Sequence, residues 1–189
     1  MSSGPAARAS LLAKAEAYIL GHGLLDLTLT ALADGIGSNR RMLLYHFSSL
    51  DELVREAVGS ILDRRELTAR LAAILAEPGD LSARMDAAWA HIAAPEQEAW
   101  HRIFFAQLGL ALEDPAGYED FLARSRAGWP DLLREVFEAE RMPGVETAAR
   151  VLSSVWSGLQ LALLSGEERP ALAAAHHAAV AALLAQNRR

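Results

Sequence analysis

The segment Ser38–Phe47 reads SNRRMLLYHF and sets two adjacent guanidiniums, Arg40 and Arg41, ahead of a short apolar run closed by Tyr45, His46 and Phe47. These residue types bind phosphate and base edges. A guanidinium forks onto guanine O6 and N7, a phenol or imidazole donates to phosphate, and an aliphatic side chain can meet a thymine methyl. On a helix turning about 100° per residue, Arg40, Arg41, Leu44 and Tyr45 share an arc of about 140°, and Leu43 falls well outside it. One face would then carry two guanidiniums, an apolar side chain and a phenol, with Leu43 as the inward anchor. A solvated arginine pair on a surface helix, with Leu44 in the core, accounts for the same residue types. On types and spacing alone both readings stand.

The surrounding pattern supplies the elements that would position this face. A first helix is expected over about 7–20, where Leu12, Ala15 and Ile19 share a side, and Gly21 and Gly23 break it. Thr28 is a good N-cap for a short second helix carrying Leu29, Leu32, Ala33 and Ile36. Gly35 and Gly37 bracket its end. Ser38 or Asn39 caps the third, and Ser49-Leu50-Asp51-Glu52 reads as a capping box that opens a fourth helix toward Ala76. Two short helices across a glycine turn, behind a packing helix, make a helix-turn-helix whose second member leads with its N-terminus.

Composition agrees with an all-α fold. Alanine and leucine dominate the 189 residues, 52% are hydrophobic, and no stretch alternates like a half-buried strand. With no cysteine, disulfides and thiolate chemistry are excluded. The opening MSSGPAARAS has no apolar centre, so no signal peptide is expected. No uninterrupted apolar run reaches the roughly 20 residues that span a bilayer, and a cytoplasmic location without membrane contact is the expectation. Net charge is -6, yet residues 1–47 carry +1, with Arg8, Lys14, Arg40 and Arg41 against Glu16, Asp26 and Asp34. A slightly basic head on an acidic body is a weak footprint of nucleic-acid binding.

From about Leu11 to Val58 the chain resembles the N-terminal domain of TetR (tetracycline-repressor-like) transcriptional regulators. The matching features are Gly23, Thr28, Ala33, Gly37, Asn39, Leu43, and then YHF at 45–47 followed by SSLDEL. The resemblance implies base-edge contacts from Thr30, Arg40, Arg41, Met42 and Leu44, and phosphate contacts from Thr28, Asn39, Tyr45 and His46. His46 packed at the head of the fourth helix is the structural alternative. Two positions depart from the pattern. Leu50 stands where a lysine is common, which removes one phosphate contact, and Leu44 stands where a second aromatic is common. Each lost phosphate contact flattens the salt dependence of binding by about 0.9 in the logarithmic slope.

The domain division expected is 1–48 for DNA binding and 49–189 for a helical ligand-binding and dimerisation domain, about nine helices in all. In the body, Asp80 caps a helix to about Ala94 and Pro95 opens another. Asp114-Pro115 opens a third, which Pro130 must kink or split. Ala148, Leu152, Val155, Leu159 and Ala162 alternate at 4-3-4-3 spacing, and Leu172, Ala179 and Leu183 share a face of the last helix. Such seams suit a homodimer's four-helix bundle or a monomer's own core. Met85, Trp89, Trp100, His101, Phe104, Phe105, Leu108, Trp129 and Trp156 form an aromatic concentration, candidates for an apolar effector pocket. Gln107 and Gln160 are possible polar groups in it.

Glu98-Ala99-Trp100-His101 matches half of a di-iron signature, but no second Glu-x-x-His exists. There is also no HExxH, phosphate-binding glycine loop or nucleophile–base pair. No enzyme, cofactor or metal is expected. The expected function is a ligand-responsive repressor that binds a palindromic double-stranded DNA operator as a homodimer and is released by a small apolar effector. The alternative is a TetR-fold small-molecule-binding protein, or less readily a helical-bundle enzyme, with weak or lost DNA binding.

Overall fold

The computed structural model describes residues 4–62 and 66–186. Among these the regular structure is helical throughout, with ten α-helices and one short 3-10 helix. They are α1 (Gly4–His22), α2 (Leu29–Gly35), α3 (Arg40–Phe47), α4 (Leu50–Leu62), α5 (Glu66–Leu75), α6 (Leu81–Ile92), the 3-10 turn Pro95–Gln97, α7 (Glu98–Glu113), α8 (Glu119–Ala139), α9 (Val145–Leu164) and α10 (Arg169–Gln186). The expected fourth helix to Ala76 corresponds to α4 and α5, and residues 63–65 lie outside the described residues. That difference accounts for ten helices against about nine.

Two compact units are present: Met1–Arg64 with Ala99–Gly109, and Arg65–Glu98 with Leu110–Arg189. The expected boundary at 48/49 falls inside the first unit, because α4 packs on α1 and α3. Ala15 and Ile19 of α1, Leu32 and Ala33 of α2, Leu43 and Phe47 of α3, and Leu53, Ala57, Val58 and Ile61 of α4 make its core, joined by Ile103 of α7. Leu50, where a phosphate-binding lysine was looked for, packs partly buried against this core.

The caps read in the sequence are made. Thr28 Oγ1 accepts from Ala31 N at 3.1 Å, Asn39 Oδ1 from Met42 N at 2.9 Å, Ser49 Oγ from Glu52 N at 3.0 Å and Asp80 Oδ2 from Ala83 N at 3.0 Å. Each satisfies an orphan donor and contributes about 1 kcal/mol. Of the capping box at Ser49, the hydroxyl's half is formed. The Ser49 N–H goes to the Phe47 carbonyl, while the Glu52 carboxylate lies 3.9 Å from Arg8.

In the second unit α8 and α10 both pack on α9, α5 and α10 pack on α6, and α5 also meets α8. Leu71, Leu75, Met85, Trp89, Leu133, Phe137, Leu152, Trp156, Leu172 and Val180 are buried there. Two expectations need correction. Asp114-Pro115 does not open α8: Asp114 Oδ1 accepts from Gly117 N at 3.2 Å, a turn that delays the helix to Glu119. Nor does Pro130 split α8, which runs through it from Glu119 to Ala139.

One close approach fixes how α1 meets α2. A Cβ on Gly35 would run into the ring of Tyr18, which is stacked on His22 at 4.0 Å between centroids. Alanine gains about 1 kcal/mol over glycine inside an exposed helix, but overpacking costs about 1–3 kcal/mol. Gly35→Ala is therefore expected to destabilise the wild-type protein in urea denaturation. In a Tyr18→Ala background, where the ring is gone, the same change should be neutral or stabilising. Equal effects in both backgrounds would contradict the contact.

Candidate functional site

The third helix is eight residues long and its two faces differ in character. Leu43 and Phe47 are buried in the core of the first unit. Arg40 and Arg41 are exposed at its N-terminal end, Met42 and Leu44 are exposed beside them, and Tyr45 is 78% exposed. His46 is half-buried, its ring edge-on to Tyr45 at 4.9 Å. Thr28 and Thr30 of the preceding segment are exposed as well. All nine residues expected to meet DNA thus lie in the first unit with at least part of each side chain accessible.

Two of the nine already have local work. The Thr28 and Asn39 oxygens accept cap hydrogen bonds, so each would offer a phosphate its remaining donor, the hydroxyl proton or the amide NH2. Capping and phosphate binding at a helix N-terminus are compatible, because both draw on the unsatisfied backbone N–H groups and the positive end of the helix dipole.

The expected effector residues divide between the units. Trp100, His101, Phe104, Phe105 and Leu108 lie on the part of α7 that belongs to the first unit, where Trp100 stacks on Phe104 at 5.4 Å and packs against the core. His101 is fully buried, so it reads as a core residue in this unit. Met85, Trp89, Trp129 and Trp156 belong to the second unit, and Met85, Trp89 and Trp156 are buried.

There the tryptophans close on a histidine the sequence did not single out as a site. His176 of α10 is fully buried. It stacks between Trp89, at 5.6 Å and 13° between planes, and Trp156, at 6.4 Å and 26°. Trp129 meets Trp156 edge-on at 5.5 Å. Asp86 of α6 accepts from Nδ1 of His176 at 3.2 Å and from Nδ1 of His177 at 2.8 Å. That fixes the His176 tautomer and leaves Nε2 as a lone-pair acceptor. His176 Nε2, Trp156 Nε1 and Gln160 Nε2 are buried without a hydrogen-bond partner among the described residues.

A groove of about 630 Å³ opens on the outer side of Trp89, between the end of α6 and the start of α10. Ala90, Ala93 and Pro170 line it, with Asp86, Glu96 and His177 among its polar groups. Arg169 on its rim is engaged by the Glu98 carboxylate and by the Ala93 carbonyl at 2.9 Å. Glu98, half of the metal signature, is thus an ion-pair partner. Among the described residues no group of three or more His, Asp or Glu could hold a metal ion.

The residues expected at a dimer seam divide by burial. Ala148, Leu152 and Leu172 are buried by their own chain, out of reach of a second copy, while Val155, Leu159, Ala162, Ala179 and Leu183 are half-buried. A second stripe runs along the outside of α9, formed by Val151, Ser154, Gly158 and Leu161. On α10 the exposed positions are almost all alanine, including Ala171, Ala174, Ala178 and Ala182.

No protein-family model matches the chain, and no curated protein does. Solved structures do. A transcriptional regulator from Rhodococcus sp. Rha1 superimposes with a TM-score of 0.74 at 20% identity, over 95% of this chain and 96% of that one. A TetR-family transcriptional regulator from Streptomyces coelicolor gives 0.72 at 20% identity over 97% and 96%. The multidrug binding protein EbrR, complexed with imidazole, gives 0.64 at 23% identity over 95% and 90%. The chain has the fold of TetR-family regulators. Among the described residues no helix is long and apolar enough to cross a membrane.

Burial lowers the pKa of His176 below 6.5, and His177 lowers it further, against the opposing pull of Asp86. The unfolded chain then binds the proton more readily than the folded one. Neutral His176 contributes stability that is fully present above about pH 6.5 and is lost as pH falls from there through the lower folded-state pKa. His91, also lowered mainly by burial, acts in the same direction. Between about pH 7.5 and pH 5, unfolding stability measured in urea should fall in the wild type and fall less steeply in His176→Gln. Parallel slopes would contradict the assignment.

Proposed function

We propose that this chain is a homodimeric, ligand-responsive DNA-binding transcriptional regulator, a repressor that binds a palindromic operator and is released by a small effector. The observation that carries the reading is α3, an exposed face of Arg40, Arg41, Leu44 and Tyr45 backed by buried Leu43 and Phe47. In the helix-turn-helix arrangement that face enters the major groove. The guanidiniums read guanine, while Thr28, Asn39, Tyr45 and His46 hold the phosphates that fix register. One eight-residue helix covers few base pairs, so a two-fold pair of them, about 34 Å apart on the DNA, supplies the specificity.

The outer stripe of α9 and the alanine face of α10 support the dimer. They are apolar and small, and two such pairs of helices can approach closely about a two-fold axis. The groove lined by Trp89, whose ring also stacks on His176, supports an effector that is flat and largely apolar. Release requires the effector to prefer one arrangement of the dimer over another, a coupling typically of about 1–3 kcal/mol.

Selection of the purified protein against a random duplex pool, at low and moderate salt, tests the reading. Enrichment of a palindrome is expected. Arg40→Ala or Arg41→Ala should each weaken binding to it by about 1–3 kcal/mol and relax base preference at one position of each half-site. If neither variant changes affinity or preference, the recognition face is wrongly assigned. No enrichment from a folded dimer would favour a small-molecule-binding protein of this fold instead.

A further inference from the structure

A charged side chain of the first unit reaches α3 from behind its recognition face. Arg8 lies on α1, and its guanidinium engages two other helices at once. Nε donates to the His46 carbonyl at 3.1 Å. Nη1 donates to Glu56 of α4 at 2.9 Å, and Nη2 bonds the other Glu56 oxygen. The guanidinium carbon sits 4.4 Å from the centroid of the Phe47 ring. Glu52, one turn before Glu56, lies 3.9 Å away.

The place it holds is the weak end of α3. Its N-terminal end has the Asn39 cap, but the following residue Ser48 stands at φ 48° and ψ -40°, a left-handed conformation that costs a non-glycine residue energy. The last carbonyls of a helix lack intrahelical donors and carry its negative partial charge. A cation that donates to one of them and stacks on the next side chain answers both deficits. The carboxylate of Glu56 meanwhile binds that cation to α4.

Few side chains could do this. The guanidinium is planar and rigid, with donors pointing in several fixed directions. Two of its nitrogens chelate Glu56 while the third is turned to the His46 carbonyl, and its flat face lies against Phe47. An ammonium could keep the charge beside Glu56 but could not hold the other contacts in the same geometry.

We propose that Arg8 is a positioning residue for recognition: it fixes the attitude of α3 against α4, and so governs DNA affinity without contacting DNA. The proposal rests on the DNA-binding reading of α3 and adds a determinant outside the helix-turn-helix. It also means that a displacement of α4 at Glu56 pulls directly on the C-terminal end of α3. This polar part of the coupling runs through one guanidinium and is sensitive to conservative substitution.

The test uses the full chain in three forms: wild type, Arg8→Lys, and the exchange Arg8→Glu with Glu56→Arg. Melting temperature, affinity for the selected duplex, and amide hydrogen exchange in the last turn of α3 are measured on each. Arg8→Lys keeps the charge pair, so it should melt close to wild type. Its α3 amides should exchange faster and its affinity should drop roughly tenfold, the scale of one charge-assisted hydrogen bond. The exchanged pair should recover much of any melting loss while remaining defective in affinity, because a carboxylate then faces the His46 carbonyl.

Unchanged exchange and affinity in Arg8→Lys would overturn the proposal. So would affinity that merely follows melting across all forms, which would make Arg8 an ordinary structural ion pair. If the wild type selects no DNA, the regulator reading fails separately. The exchange measurement then still decides whether Arg8 holds α3.

Discussion

Everything proposed for DNA recognition depends on two buried side chains. An isolated helix of eight residues is far below the length at which helices persist in water, so α3 exists because Leu43 and Phe47 are taken into the core of the first unit. Burying a leucine and a phenylalanine contributes about 1.5–3 kcal/mol each, several times what the Asn39 cap adds. The spacing of these two residues also sets which way the helix faces. With 43 and 47 inward, 41 and 45 point away from the core, and 40 and 44, on the flank, are exposed as well. The proposed affinity for DNA and the stability of the fold thus draw on different residues of the same two turns.

The second unit is organised by a different constraint, the cost of burying polar rings. His176 is enclosed between two indoles and remains tolerable there because Asp86 accepts its N–H and burial keeps it neutral. The same carboxylate reaches His177. Asp86 therefore joins α6 to α10 by two hydrogen bonds from adjacent residues, with the Trp89 groove beside them. This joins the proposed effector groove to a helix of the proposed dimer face within one unit.

Features set by local chemistry were legible in the sequence. Thr28, Asn39, Ser49 and Asp80 cap where their types and positions say they should, since a cap needs only its own helix. Leu43 as the inward anchor of α3 was legible for the same reason, because 3.6-residue periodicity places it outside the arc of Arg40, Arg41, Leu44 and Tyr45; the burial of Phe47 was not read. What depended on partners distant in sequence was not. The strongest apolar period of α9, through Ala148 and Leu152, was open to two uses, and only the packing of α8 and α10 on α9 decides for the interior. Arg8, 38 residues before His46 and 48 before Glu56, has no local pattern to betray it. Asp86, the carboxylate that His176 and His177 share, stands 90 residues before His176 and has no local pattern to mark it either. The turn at Asp114 misled because an aspartate before a proline suits either a helix start or a side-chain-capped turn.

The central claim is that two copies of α3 occupy successive major grooves. Guanine N7 methylation interference on a selected duplex tests it most directly, because N7 lies in the major groove where a guanidinium forks. The account predicts two clusters of interfering guanines, related by two-fold symmetry and centred about 10 base pairs apart, and loss of interference at one guanine in each cluster when Arg40 or Arg41 is alanine. Binding indifferent to N7 methylation, or a single unsymmetrical cluster, would contradict it.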